Sequence, residues 1–164
     1  MLFRSVSELK QCKAESIAIS LDGPERIHDT YRQEGSFQRA IQAIEILTEN
    51  DIPVSVITTL HSRNVSCLEE MYDILTKFNI FAWQLQACSP MGYASQGDFS
   101  TEIDFRIPIR FVEKHLENPY FAIGIADNIG YYTEREGCLR GDPGGKAFYQ
   151  GCRAGLTADR KSVV

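Results

Sequence analysis

The sequence has no hydrophobic run approaching the ~20 residues that a membrane-spanning helix needs. Its N-terminal stretch, MLFRSVSELKQCK, lacks the apolar segment of a secretory signal peptide. Basic residues are not in excess either, since the net charge is −5 and the isoelectric point is near 5.2. This balance argues against a nucleic-acid groove or a basic membrane-binding patch. We therefore expect a cytoplasmic protein that binds neither nucleic acid nor membrane.

Closely spaced cysteines are also missing. The five cysteines stand far apart, and no two have the spacing of a zinc knuckle or a cluster-binding loop. Their odd number in a cytosolic setting argues against a disulfide framework. Taken singly, each is best interpreted as a small buried hydrophobic residue. No glycine-rich phosphate-binding fingerprint follows any predicted strand.

The 164 residues match the size of one domain and alternate short apolar runs with amphipathic stretches. Ser36 is predicted to be the N-cap of the longest helix. The alternation, repeated every ~30 residues, is the signature of βαβ units and predicts an α/β fold with a parallel sheet. The predicted strands are 16–21, 53–60, 81–87 and 120–127, and the predicted helices are 3–14, 37–49, 66–78 and 105–117.

Loops that follow parallel strands share one edge of the sheet, where ligands bind. Three loops are predicted to form this edge: SLDGPERIHDTYR, TTLHSRN and QLQACSPMGYA. Ser20 and Asp22 therefore lie where a buried strand ends, at a position where polar groups can meet a ligand.

These loops carry a resemblance to a known family. The string ISLDGPERIHDTYR followed by GSFQRAI resembles the fourth strand and next helix of radical S-adenosylmethionine (radical SAM) enzymes, particularly those with a C-terminal SPASM domain. VSVITTLHSRN and WQLQACSPMGYA resemble that family's fifth and sixth strands with their loops. GCRAG resembles the segment that opens a SPASM domain. The resemblance covers residues 16–155.

The resemblance implies an incomplete parallel (βα) barrel, about half of the six-unit partial barrel of that family. Residues 1–135 would form the C-terminal half of the barrel, and residues 136–164 a linker and the start of a truncated SPASM-like segment. Family enzymes hold a [4Fe–4S] cluster on a CxxxCxxC loop, and this sequence contains no such motif. We therefore expect the chain alone to be inactive and to bind neither the cluster nor S-adenosylmethionine tightly.

The resemblance also implies where the cofactor would lie. Ser20 and Asp22 would lie near its ribose and amino-acid part, Arg39 would bind its carboxylate, and Gln86, or Leu85 beside it, would lie beneath its adenine. Cys152, in GCRAG, would bind an auxiliary cluster only in a complete SPASM domain. No catalytic residue is indicated.

A purely structural role remains open for each of these positions. Asp22 could cap a turn with Gly23 and Pro24, and Arg39 could be a solvated helix residue. Leu85 could face the core and Gln86 a helix end. Structural roles are also expected for five further polar residues: His28, Arg32, His61, Cys88 and Asp127.

Three functional interpretations remain open. The first is part of a radical SAM enzyme that matures peptides or cofactors, acting on a peptide or small-molecule substrate. The second is a non-catalytic assembly module, completed by a partner chain with the missing N-terminal half-barrel or by a second copy of itself. The third is an unrelated small α/β ligand-binding enzyme.

Overall fold

The computed structural model describes residues 6–11, 16–88 and 103–126, together with positions 129, 134 and 139. The helices are α1 (Val6–Gln11), α2 (Glu25–Tyr31), α3 (Ser36–Glu49), α4 (Leu68–Leu75) and α5 (Arg106–Lys114), and a 3₁₀ turn, Val65–Cys67, precedes α4. The strands are β1 (Ile17–Ser20), β2 (Val54–Leu60), β3 (Ala82–Ala87) and β4 (Ala122–Ile125). Within these ranges, no helix is both long enough and apolar enough to span a bilayer.

The four strands form one sheet in the order β1-β2-β3-β4, and every neighbouring pair is parallel. Ser20 lies opposite Ile57, which lies opposite Gln84, which in turn lies opposite Gly124. Each observed strand lies within two residues of its predicted bounds. The predicted α/β class with a parallel sheet is confirmed.

One face of the sheet forms the hydrophobic core with α3, α4 and α5. Burying a large aliphatic side chain in this way stabilises the fold by about 1.5–3 kcal/mol. The strands contribute Val54, Val56, Leu60, Trp83, Leu85, Ile123 and Ile125, and the helices contribute Ile44, Leu47, Met71, Leu75, Ile109 and Val112. The alternative in which Leu85 faces the core is therefore confirmed.

The opposite face of the sheet carries mainly small and polar side chains, with Ile57 as the exception. In the described part of the chain, its members are exposed or half-buried: Ala18, Ser20, Ser55, Ile57, Thr59, Gln84, Gln86, Ala122 and Gly124. Interiors of complete parallel barrels are instead filled by branched aliphatic residues. We call this surface the open face, because its side chains are less buried than those that face the helices.

Residue 139 approaches the open face at β4. A Cβ atom added at Gly124 would lie 3.2 Å from the carbonyl oxygen of Leu139, closer than most side chains tolerate. Glycine at this position therefore allows the two backbones to pass close together.

The start of α3 differs from the prediction. Its N-cap is Gly35, with φ of 72°, and not Ser36, which is the first helical residue. The Asp29 carboxylate accepts hydrogen bonds from the Gly35 and Phe37 amides, both at 2.7 Å, and from the Ser36 hydroxyl at 3.2 Å. These bonds lower the pKa of Asp29. Helix α2, which the sequence did not predict, thus supplies the cap of α3.

A buried threonine links three parts of the core. Thr58 on β2 donates its hydroxyl hydrogen to the Leu21 carbonyl at 2.6 Å and accepts the indole N–H of Trp83 at 2.8 Å. Both neighbours are fully buried. The hydroxyl thus provides a hydrogen-bond partner for two polar groups that are buried away from water.

We expect Thr58→Val to lower the free energy of unfolding by about 2 kcal/mol, because each buried polar group left without a partner costs about 1–3 kcal/mol. Urea titration followed by the fluorescence of Trp83, the single tryptophan of the chain, measures the change. Thr76→Val is the control, because the Thr76 hydroxyl bonds to the Asp73 carbonyl at an exposed site. Equal losses in the two variants would contradict the role assigned to Thr58.

Candidate functional site

Two of the predicted site residues lie on the open face. Ser20 is the exposed last residue of β1, and Gln86 lies near the end of β3. The Gln86 side-chain amide donates a hydrogen bond to the Thr59 hydroxyl of β2 at 3.1 Å. Ser20 and Gln86 thus line the same face near the carboxyl ends of β1 and β3.

Asp22 lies just beyond Ser20 but is only 4% exposed. One of its carboxylate oxygens accepts the Thr59 backbone N–H at 2.8 Å, and the other accepts the Arg32 guanidinium at 2.6 Å. Its backbone N–H donates to Nδ1 of His28 at 3.0 Å, and its carbonyl accepts the Asn64 amide at 2.7 Å. Asp22 is therefore held by protein groups on all four of its polar atoms.

Asn64 connects the first two loops. Besides the Asp22 carbonyl, its amide nitrogen donates to the Thr59 carbonyl at 2.8 Å. Its amide oxygen accepts the His61 backbone N–H at 2.8 Å. The loop after β1 and the loop after β2 are consequently fixed to each other by buried hydrogen bonds, which gain strength in a low-dielectric interior.

His28 and Arg32 have the structural roles expected for them. His28 is buried and accepts a hydrogen bond at Nδ1, so its ring proton is on Nε2. Burial lowers the pKa of His28, and the nearby Arg32 contributes to the same shift. Arg32 forms the ion pair with Asp22 while its own side chain stays half exposed.

His61 is also buried, and its ring lies against Tyr31, with the ring centroids 3.9 Å apart. The Arg63 backbone N–H donates to Nδ1 of His61 at 3.3 Å. Burial lowers the pKa of His61 to about 4. Its position in the interior agrees with the structural role that the sequence predicted.

Arg39 lies in the first turns of α3, beside Gly35. A Cβ atom at Gly35 would be 3.4 Å from the Arg39 guanidinium, so this side chain folds back over the N-terminus of α3. Arg39 is exposed and available to an anion at this end of the helix. Its contact with a ligand stays a prediction.

Of the remaining candidate residues, Cys88 lies within the described part of the chain, and Cys152 and Asp127 lie outside it. Cys88 follows β3 and is half-buried, and burial raises the pKa of its thiol, with a smaller contribution from the Asp22 carboxylate. Most of the predicted segment 136–164 also lies outside the described residues. Among the described positions, no three His, Cys, Asp or Glu side chains are grouped to hold a metal ion.

Thr59 is the residue of this site that the sequence analysis missed. Its backbone is held by Asp22 and Asn64, and its hydroxyl binds Gln86. The available signal was the alternation of β2, in which Ser55, Ile57 and Thr59 occupy one face while Val54, Val56 and Leu60 occupy the other.

Comparison with known proteins identifies relatives of the chain, although no family model matches it. It is 26% identical over 160 residues to the AdoMet-dependent heme synthase of Methanosarcina barkeri, covering 83% of this chain and 46% of that protein. It is 29% identical over 138 residues to the sporulation killing factor maturation protein SkfB of Bacillus subtilis, covering 82% and 33%. Both are radical SAM/SPASM family enzymes. The chain is related to radical SAM enzymes.

The predicted resemblance to the radical SAM family is thus confirmed. A third relative, an uncharacterized protein of Methanothermobacter thermautotrophicus, is 39% identical over 57 residues, which is 35% of this chain and 22% of that protein. The chain spans less than half the length of each of these relatives.

The described residues do not fit the [4Fe–4S] cluster of radical SAM enzymes. That cluster needs three closely placed thiolates, whereas Cys67 precedes α4 and Cys88 follows β3. The open face does offer hydrogen-bonding groups to a polar organic ligand, because Ser20 and Gln86 both lie on it. The described residues therefore offer hydrogen-bonding groups for an organic ligand but no set of thiolates for an iron–sulfur cluster.

The two buried histidines predict how stability depends on pH. A histidine whose pKa in the folded protein lies below its ordinary value of 6.5 takes up a proton more readily in the unfolded chain. The folded state therefore keeps its full stability above pH 6.5 and loses stability as the pH falls below this value. We expect the free energy of unfolding to decrease between pH 6.5 and 4, by at most about 1.4 kcal/mol per pH unit for each histidine. Urea unfolding across this range measures the slope.

His61→Gln should flatten this slope, because the residue that titrates is removed. His115→Gln, at the C-cap of α5, is the matched control, since His115 pairs with Glu69 away from the two loops. A slope unchanged in His61→Gln would contradict the assignment.

Proposed function

We propose that the chain forms part of a radical SAM enzyme of the SPASM type that matures a peptide or a cofactor. The observation that carries this proposal is the open face, where Ser20 and Gln86 lie on the same side of the sheet near the carboxyl ends of β1 and β3. Relatedness to the heme synthase and to SkfB supports the same conclusion. In that family, the cluster supplies the electron that cleaves S-adenosylmethionine.

The residues of this chain would bind and orient the organic part of S-adenosylmethionine. Ser20 donates or accepts one hydrogen bond from the edge of β1, and Gln86 contributes another from β3. Arg39 supplies a positive charge for the carboxylate of the ligand. Asp22 would position Thr59 and Arg32 and would not contact the ligand with its carboxylate, because both carboxylate oxygens already bind these two residues. The thiolates for the cluster would come from a CxxxCxxC loop outside these residues.

We further propose that another half-barrel covers the open face. Strand β1 is one edge of the described sheet, and its Ala18 and Ser20 are exposed. Parallel sheets are almost always covered on both faces, and an unpaired strand edge tends to pair with another strand. A partner carrying the N-terminal half-barrel, or a second copy of this chain, would meet both needs.

We expect the chain alone to bind S-adenosylmethionine too weakly for titration calorimetry. A few hydrogen bonds, each contributing ~1 kcal/mol, cannot offset the cost of association. With a companion chain that carries CxxxCxxC, reconstituted anaerobically with iron and sulfide, binding should become measurable and 5′-deoxyadenosine should form under reducing conditions.

In that assembled protein, Ser20→Ala should weaken binding about fivefold, the equivalent of one hydrogen bond. Ser66→Ala is the control, because Ser66 lies in the 3₁₀ turn before α4 and not on the open face. Micromolar binding by the chain alone would contradict the proposed division of the site.

The proposed assembly predicts the solution behaviour of the isolated chain. Size-exclusion chromatography with light scattering, over a range of concentrations, should show oligomers or aggregates, or thermal unfolding should show marginal stability. The physical reason is that, within the described residues, β1 has no strand partner on its outer side and Ala18 and Ser20 are exposed. A strictly monomeric chain that unfolds sharply and cooperatively at high concentration would contradict this proposal.

A further inference from the structure

The side chains of Thr59 and Gln86 are neighbours on the open face. They lie opposite each other on β2 and β3, and the Gln86 amide nitrogen is 3.1 Å from the Thr59 hydroxyl oxygen. This is the one hydrogen bond of the Gln86 side chain within the described residues. The amide nitrogen is thus used by Thr59, whereas the amide oxygen has no partner among the described residues and can accept a hydrogen bond.

The position of the Thr59 hydroxyl is itself determined by the surrounding chain. The Thr59 N–H donates to the Asp22 carboxylate at 2.8 Å, and its carbonyl accepts the Asn64 amide at 2.8 Å. Both bonds involve the backbone of Thr59, so they persist when its side chain is changed. Threonine is also stiff about its first side-chain torsion, which limits the directions available to the hydroxyl.

We propose that Thr59 is a positioning residue that orients the Gln86 amide, so that the Gln86 carbonyl oxygen accepts a hydrogen bond from an N–H or O–H group of the ligand. This inference rests on the proposed function, because it assumes that a ligand lies on the open face. It assigns to Thr59 a role in ligand selectivity, because the site would favour a ligand that presents a hydrogen-bond donor to Gln86 on β3.

The orientation can be tested without a ligand. In ¹⁵N-resolved NMR spectra of the full chain, Thr59→Val should shift the side-chain amide signals of Gln86, and Thr59→Ser should largely restore them. Valine has the shape of threonine and keeps both backbone bonds, so the variant should fold. Unchanged Gln86 signals in Thr59→Val would overturn the proposal.

The chemical selectivity requires a ligand, and adenosine is the probe because it carries several N–H and O–H donors. Its binding in the millimolar range can be followed by NMR titration of the full chain. Thr59→Val and Gln86→Met should each weaken adenosine binding about three- to tenfold, the effect of one hydrogen bond. Gln86→Glu keeps an oxygen that can accept a hydrogen bond from the ligand, and Thr59→Ser keeps the hydroxyl that bonds to Gln86. Both variants should therefore bind adenosine nearly as well as the unmodified chain.

The outcomes separate this inference from the proposed function. Weak binding by Gln86→Glu, equal to that of Gln86→Met, would mean that the amide nitrogen faces the ligand and would overturn the inference alone. Unaltered binding by Thr59→Val would do the same. Absence of any adenosine-dependent shift around Ser20 and Gln86 would overturn this inference, whereas the proposed function would be overturned if the assembled protein formed no 5′-deoxyadenosine. Thr76→Val, at the end of α4, is the matched control and should bind adenosine unchanged.

Discussion

The buried carboxylate of Asp22 lies where the first loop meets β2, and it accepts hydrogen bonds from two other parts of the chain. One is the backbone of Thr59 on β2, and the other is the guanidinium of Arg32 after α2. Because an unpaired buried charge is costly, neither bond can be lost without destabilising the loop. The geometry of the open face at the carboxyl end of β2 therefore depends on this one side chain.

The two faces of the sheet explain why a small chain can combine a core with a polar site. On the helix side, alternate strand residues are aliphatic and pack against α3, α4 and α5. On the open face, the intervening residues are mainly small or polar, and they include Ser20, Thr59 and Gln86. The period of two along each strand allows both surfaces to be encoded in the same few residues.

The alternation of apolar runs made the strands and the main helices predictable, since period and length are local properties. Helix α2 was not predicted, because ERIHDTY has few apolar residues and no helical stripe. It forms because His28 is buried against the first loop and Asp29 caps α3. For the same reason, Ser36 looked like an N-cap although Gly35 occupies that position.

The sequence by itself determined the α/β class, the parallel pairing of the strands and the relation to radical SAM enzymes. It also determined that Ser20 and Gln86 lie near the ends of their strands. Only the tertiary structure decided that the Asp22 carboxylate binds protein groups, and that Thr59 holds the Gln86 amide. Periodicity and motif are contained in neighbouring residues, so they can be read along the chain. Hydrogen bonds between residues 27 or 37 positions apart exist only after the strands have come together, because their distances are set by the sheet.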